Sequence, residues 1–362
     1  MCFLFFCVAD RSLGNNRQGS DRLVQSGDRI GSDFAEVAIR NISRAVALLL
    51  VGHPLLLLAQ NPAGHQRTPE RNSILNLYDA FGYQKRGTIL DWGFSALIHY
   101  NGKTILFDTG NSADKFEHNV KALGVDLNEV DIAVLSHRHY DHISGFDYML
   151  RVKPMVKAYL PADYALGAPM RYTFSHDTKE SLAGLPPEQL YFAGAMNSTD
   201  NYKPGDRFHG ANQEFVPASR EIAPGAYLIV TRSVMLGDFN AYPPNEPGHP
   251  DLAGFPELSL ALKTEKGVVL ITGCSHSTVE AIIRATKQYL GSPIELVEGG
   301  FHLLPYDAAY ISKIAHLMKD DLGVRQVAPA HCTGNLAFKI FRDLYGENYN
   351  YAGLESVVMF TH

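Results

Sequence analysis

Beyond residue 70 the chain alternates short apolar runs with amphipathic stretches, the texture of strands and helices taken in turn. The runs 88–100 and 103–107 flank Asn101-Gly102, a pair that accepts positive φ, and so predict a hairpin. The second run ends in Asp108-Thr109-Gly110, after which a helix is expected through Ala122 and stopped at Leu123-Gly124. A short apolar strand, 130–135, runs straight into Ser136-His-Arg-His-Tyr-Asp-His142. The last third repeats one rhythm three times. Strand 267–272 opens into Gly273-Cys-Ser-His-Ser277 and a helix through about Leu290. Strand 294–297 opens into Glu298-Gly-Gly-Phe-His302 and a helix over about 306–320. Strand 326–329 opens into Ala330-His-Cys-Thr-Gly334 and a helix over about 335–345. Loops leaving the C-terminal ends of strands gather at one rim in α/β layouts, so four strand ends each bring a histidine to one place. Residues 150–260 are less regular, with strands expected only at 226–230 and 258–262, and read as a lid-like insertion over a site.

The N-terminal extension, 1–60, has a different character. Residues 1–36 lack any period after a short apolar start. The apolar run 45–59 follows Arg40 and Arg44 and precedes Gln60-Asn61-Pro62. It is shorter than the ~20 residues of a spanning helix, and Pro54 interrupts it, so no stable membrane span is expected. It fits a signal peptide ending at Ala59, with a biological start near Val37; a buried or peripheral hydrophobic helix is the alternative. The first reading predicts an exported chain, periplasmic or secreted, and the second a cytoplasmic one. The folded domain is expected over 70–362.

Composition narrows the function. With 362 residues, 46% hydrophobic and 19% charged, the chain can bury a full core. A formal net charge of −6 without a long Lys/Arg run argues against a dedicated nucleic-acid binder. Four cysteines, at 2, 7, 274 and 332, make neither a disulfide scaffold nor a zinc-knuckle spacing.

The fifteen histidines matter more. In His137-x-His139-x-Asp141-His142 the first two imidazoles, two apart in extended chain, project to one side and can share a metal ion. Asp141 and His142 follow as the chain turns and can face a second ion. The alternative, a solvated polar loop, is disfavoured by the apolar strand before it and Gly145 just after it.

This motif after a buried strand resembles the metallo-β-lactamase superfamily, which implies an α/β four-layer αββα sandwich carrying one or two Zn, Fe or Mn ions. Asp108-Thr109-Gly110 looks like the strand-end turn whose Asp braces the ligand loop. Gly273-Cys-Ser-His-Ser277, Gly299-Gly-Phe-His-Leu303 and Pro329-Ala-His-Cys-Thr-Gly334 are similar to the branch of the 7,8-dihydropterin/ribofuranosylaminobenzene-phosphate synthase, most of whose members are called metal-dependent hydrolases. The resemblance implies that His137 and His139 bind a first metal, and that Asp141, His142 and His331 bind a second. This sequence departs from the pattern twice. The usual bridging carboxylate sits where Gly273-Cys274 stands, and no Gly-His-Thr turn supplies the third imidazole of the first site; His249 is a poor substitute. His276 is the choice for that imidazole. Cys274 is either a thiolate ligand or a small buried hydrophobe. The implied cofactors are two divalent ions, zinc ahead of iron or manganese.

The reaction expected is hydrolysis of a small-molecule ester, lactone, thioester or phosphoester by metal-activated water. Asp141 would orient the nucleophile and His302 would protonate the leaving group, unless His302 is a core histidine. Aromatic side chains at Tyr164, Tyr172, Phe174, Tyr191 and Phe192 either stack on a flat ligand or pack the lid. Two alternatives stand beside hydrolysis: a pterin-condensing synthase, and a non-catalytic metal-dependent binding protein.

Overall fold

A computed structural model describes residues 71–163, 184–191, 212–233 and 255–361, all within the unit Gly64–His362. The apolar run 45–59 lies outside them. Among the described residues no helix is long and apolar enough to cross a membrane.

Strand alternation builds the molecule. β1 (Ser73–Tyr78), β2 (Ser95–Tyr100) and β3 (Lys103–Phe107) form an antiparallel meander. Asn101 and Gly102 both take positive φ at the β2–β3 turn, as the hairpin signal requires. β4 (Ile132–Val134), β5 (Lys157–Pro161) and β6 (Asn212–Val216) extend β3 in parallel, and β13 (Val357–Met359) closes the other edge beside β1. The second sheet runs β12 (Gln326–Ala330), β11 (Ile294–Gly300), β10 (Gly267–Thr272), β9 (Phe255–Thr264), β8 (Ala226–Ser233), β7 (Arg220–Ala223). Ile98, Ile105 and Phe107 from one sheet meet Leu260, Val269 and Ile271 from the other in a shared core. The intervening Leu106 and Leu97 face away, onto α1 (Ala113–Leu123) and α3 (Phe146–Val152). Val268 and Leu270 likewise face α4 (Val279–Leu290), α5 (Ala308–His316) and α6 (Asn335–Tyr345). Each sheet is buried on both faces, which gives the expected αββα order of layers.

Two expectations are corrected. The first strand of the hairpin begins at Ser95, not at 88, because the chain before it is bent over the ligand loop. A Cβ at Gly93 (φ +142) would lie 2.5 Å from the Asp141 carbonyl, and the Phe94 amide donates to that carbonyl. The stretch 150–260 is not a lid throughout: β5, β6 and β7 are strands of the two sheets, beside β8 and β9, the strands expected at 226–230 and 258–262. His249, Tyr164, Tyr172, Phe174 and Phe192 lie outside the described residues.

Candidate metal centre

All the candidate ligands come from strand ends on one rim. The loop after β4 carries His137 and His139, and the four-residue α2 (Tyr140–Ile143) carries Asp141 and His142. The turn after β10 delivers His276, that after β11 His302, and that after β12 His331. These ligand turns are tight, with positive φ at Ser275, His302 and His331.

The side chains converge as two trios. In the first, His137 Nε2 is 3.1 Å from His139 Nδ1 and 3.3 Å from His276 Nε2. In the second, His142 Nε2 and His331 Nε2 are 3.1 Å apart, and Asp141 Oδ2 is 3.2 Å from His331 Nε2 and 3.7 Å from His142 Nε2. The rings of His137 and His142, centroids 4.1 Å apart, form the seam. His276 therefore stands where the sequence reading needed an imidazole. Cys274, the alternative, is present as well, with Sγ 3.2 Å from His142 Nε2. His302 belongs to neither trio; its ring lies tilted against His276, centroids 4.4 Å apart, and one of its nitrogens approaches Cys274 and Cys332. His276 and His302 keep 4% and 6% exposure where His137, His142 and His331 keep none, so the accessible side of the rim is theirs.

The donor set fits divalent cations. Each trio brings three ligand atoms within 4.8 Å of one another, and Asp141 Oδ1 is a buried carboxylate oxygen that no hydrogen-bond donor reaches. Imidazole nitrogens facing each other at about 3 Å need a proton or a cation between them.

The supporting shell orients these nitrogens. His142 Nδ1 donates to Asp108 Oδ2 at 2.7 Å, turning Nε2 toward the second trio. Ser136 Oγ donates to the same Asp108 oxygen and accepts from His137 Nδ1, so one carboxylate aims a ligand of each trio. A Cβ at Gly273 would lie 2.2 Å from Ser136 Oγ, so that position has no room for a side chain. Thr109 holds the His142 carbonyl through both its amide and its hydroxyl. Asp108-Thr109-Gly110 thus braces the loop as the resemblance implied.

Sequence reasoning missed three further supports. Buried Glu257 accepts from the amides of Cys274, Ser275 and Ser277 and fixes the turn carrying His276. Buried Asp79 accepts from the His331 amide. Tyr191, read as a stacking or lid residue, donates its hydroxyl to the His331 carbonyl and accepts from the Gly334 amide at 2.8 Å. A charge within an apolar strand was the available signal for Glu257, and an acid at a strand end for Asp79.

Burial treats the trios differently. It pushes His137 and His276 well below the usual imidazole range, helped by their histidine neighbours, and lowers His139 to about 3. Burial opposes protonation of His142 too, but the Asp141 and Asp108 carboxylates outweigh it and hold His142 at about 9. Burial would raise Asp141, yet His142, His331 and His139 keep it well below the usual carboxylate range. The imidazoles of the first trio are thus uncharged at neutral pH, and His142 of the second carries a proton that an entering cation would displace.

Known proteins carry the same frame. Residues 93–279, just over half of the chain, match the sequence profile of the metallo-beta-lactamase superfamily. A 7,8-dihydropterin-6-methyl-4-(beta-D-ribofuranosyl)-aminobenzene-5'-phosphate synthase of Methanocaldococcus jannaschii is 25% identical over 293 residues, 74% of this chain and 90% of that one. An uncharacterized protein of the same organism is 27% identical over 265 residues, covering 72% and 91%. The crystal structure of a metal-dependent hydrolase of the beta-lactamase superfamily superposes with a TM-score of 0.57 at 26% identity, covering 80% of this chain and 100% of the other. Paired sheets, histidine-bearing strand ends and the profile match together establish that the chain belongs to the metallo-beta-lactamase superfamily.

Proposed function

We propose that the protein is a metal-dependent hydrolase with a two-metal centre, acting on an ester, lactone, thioester or phosphoester of a small molecule. The observation that carries this reading is the pair of buried trios, His137/His139/His276 and Asp141/His142/His331, joined at one seam. Two divalent ions held there would supply a hydroxide nucleophile at neutral pH and a Lewis acid for the oxygen under attack. Asp141, a ligand with Oδ1 unengaged by any donor, orients the attacking water. His302, on the accessible side beside His276, delivers a proton to the leaving atom. Asp108 and Ser136 keep His142 and His137 in the tautomers that present Nε2 inward.

The test is metal content per chain by elemental analysis, followed by a screen of lactones, thioesters and phosphodiesters with and without chelator. About two equivalents of zinc, iron or manganese and a chelator-sensitive turnover are expected; one equivalent or fewer overturns the reading. The synthase relative favours a second reading, condensation of a pterin with an aminobenzene ribofuranosyl phosphate, in which the ions act as template and Lewis acid. Condensation of those two substrates with no hydrolysis across the screen would select it. We further propose export of the chain through the 45–59 segment, which disfavours access to cytoplasmic pterins; N-terminal sequencing that finds peptides before residue 37 would overturn it.

A further inference from the structure

Two thiols remain unused by this chemistry. Cys274 and Cys332 are fully buried at the ends of β10 and β12, with their sulfurs 3.3 Å apart. They are not equivalent. Cys274 groups with His137 of the first trio and His142 of the second, all three ligand atoms within 4.8 Å of one another. Cys332 groups, among the described residues, only with Cys274 and His302. Cys274 is therefore on the seam and Cys332 behind it.

Charge gives that placement a meaning. Two divalent ions would bring four positive charges into a site where, among the described residues of the two trios, five donors are imidazoles and one, Asp141, is a carboxylate. Uncompensated charge at such depth is costly, and a thiolate is both an anion and a good zinc donor. The backbone already points Cys274 correctly. Glu257 clamps the amides of Cys274 and Ser275, and the positive φ of Ser275 turns the chain so that residues 274 and 276 both face inward. Resting on the two-metal reading above, we propose that the Cys274 thiolate is shared by the two metal positions and bridges them. Cys332 is not a ligand; it packs behind the bridge and contacts the Cys274 carbonyl at 3.4 Å.

The test uses the full chain, kept reduced and loaded with Co(II), and reads the sulfur-to-cobalt charge-transfer absorption together with cobalt per chain. Wild type is expected to hold two ions and show the band. Cys274→Ala and Cys274→Ser should both lose the band, while Cys332→Ser keeps it. A bridge further requires that the band survive, weakened, in His139→Ala and in Asp141→Ala, because sulfur still binds the intact position. Loss of the band in just one of that pair would show a terminal ligand and overturn the bridge. Loss of the band in Cys332→Ser, or a third ion per chain, would mean that Cys274, His302 and Cys332 hold an ion of their own. Two ions in wild type without the band would sink the thiolate and leave the two-metal reading standing. One ion or none would sink that reading first. Variants are compared only where the circular dichroism matches wild type; if neither Cys274 variant folds, sulfur scattering in X-ray absorption of the wild type, present or absent at both metals, decides.

Discussion

The two trios share one depth, one rim and one seam, yet burial drives them to opposite protonation. His137, His139 and His276 have chiefly other imidazoles as charged neighbours, and desolvation outweighs the pull of Asp141 on His139, so all three stay uncharged. His142 is just as buried but lies between Asp141 and Asp108, and those carboxylates retain its proton. Depth alone therefore does not set the charge of a metal ligand; the number of carboxylates within hydrogen-bond reach does. A cation entering the first trio would meet uncharged imidazoles, whereas one entering the second would have to displace the His142 proton.

Removing the carboxylate ligand should break the comparison most. Asp141→Ala is expected to abolish binding at the second position and reduce turnover by more than about 100-fold, beyond the cost of an outer-shell change. Elemental analysis should then find one metal per chain; two metals would show that Asp141 is not a ligand. Next comes Asp108→Asn, which leaves every ligand in place but unsettles the His142 and Ser136 bonds. A loss of about 10–100-fold in affinity is expected at the second position, with a smaller loss at the first, since His137 is reached only through Ser136. Equal losses in a metal titration would contradict that ordering.

Acidity should sharpen the contrast. Below pH about 9 metal binding at the second position displaces the His142 proton, so its affinity should rise about tenfold per pH unit up to that value. From pH 6.5 to 9 the imidazoles of the first position release no proton, so its affinity should rise less steeply than that of the second. Stability of the chelator-treated protein carries the same signs. Folded His142 holds its proton above the unfolded value of 6.5, so its contribution is complete below 6.5 and is lost as pH rises through about 9. The first trio has folded values below 6.5, so the unfolded chain takes up protons first as pH falls, and stability drops below pH 6.5. Thermal unfolding across pH should show an acid limb steeper than the alkaline one, three histidines against one.

What the sequence revealed follows the same division between local and distant. The ligand motif at 137–142, the strand-to-turn rhythm of β10, β11 and β12 and the Asn101-Gly102 hairpin are local patterns, and the structure brings them together as read. The misjudged parts depend on long-range contacts. Residues 88–94 look like a strand by hydrophobicity, but backbone bonds to Asp141 and Gly110 bend them over the ligand loop. Strands β6 and β7 are short and partly exposed at sheet edges, so little in their own sequence marks them. Glu257 and Asp79 act on turns 17 and 252 residues away, separations that no periodicity reports.

Tyr191 offers the finest test of whether the positions are held separately. Its ring lies against Trp92 and Phe81, and its hydroxyl joins the His331 carbonyl to the Gly334 amide. Tyr191→Phe keeps the ring contacts and removes only that bridge. Each buried group left without its partner costs ~1–3 kcal/mol, part of which the turn recovers by relaxing. The expected result is a lower unfolding temperature and a several-fold weaker second metal, because His331 alone depends on that turn. The first trio is built on the loops after β4 and β10, whereas the Tyr191 hydroxyl holds the turn after β12, so the first position's affinity should stay near wild type. Equal weakening of both positions would mean that the seam transmits a displaced His331 to His137, and the two trios would have to be treated as one rigid centre.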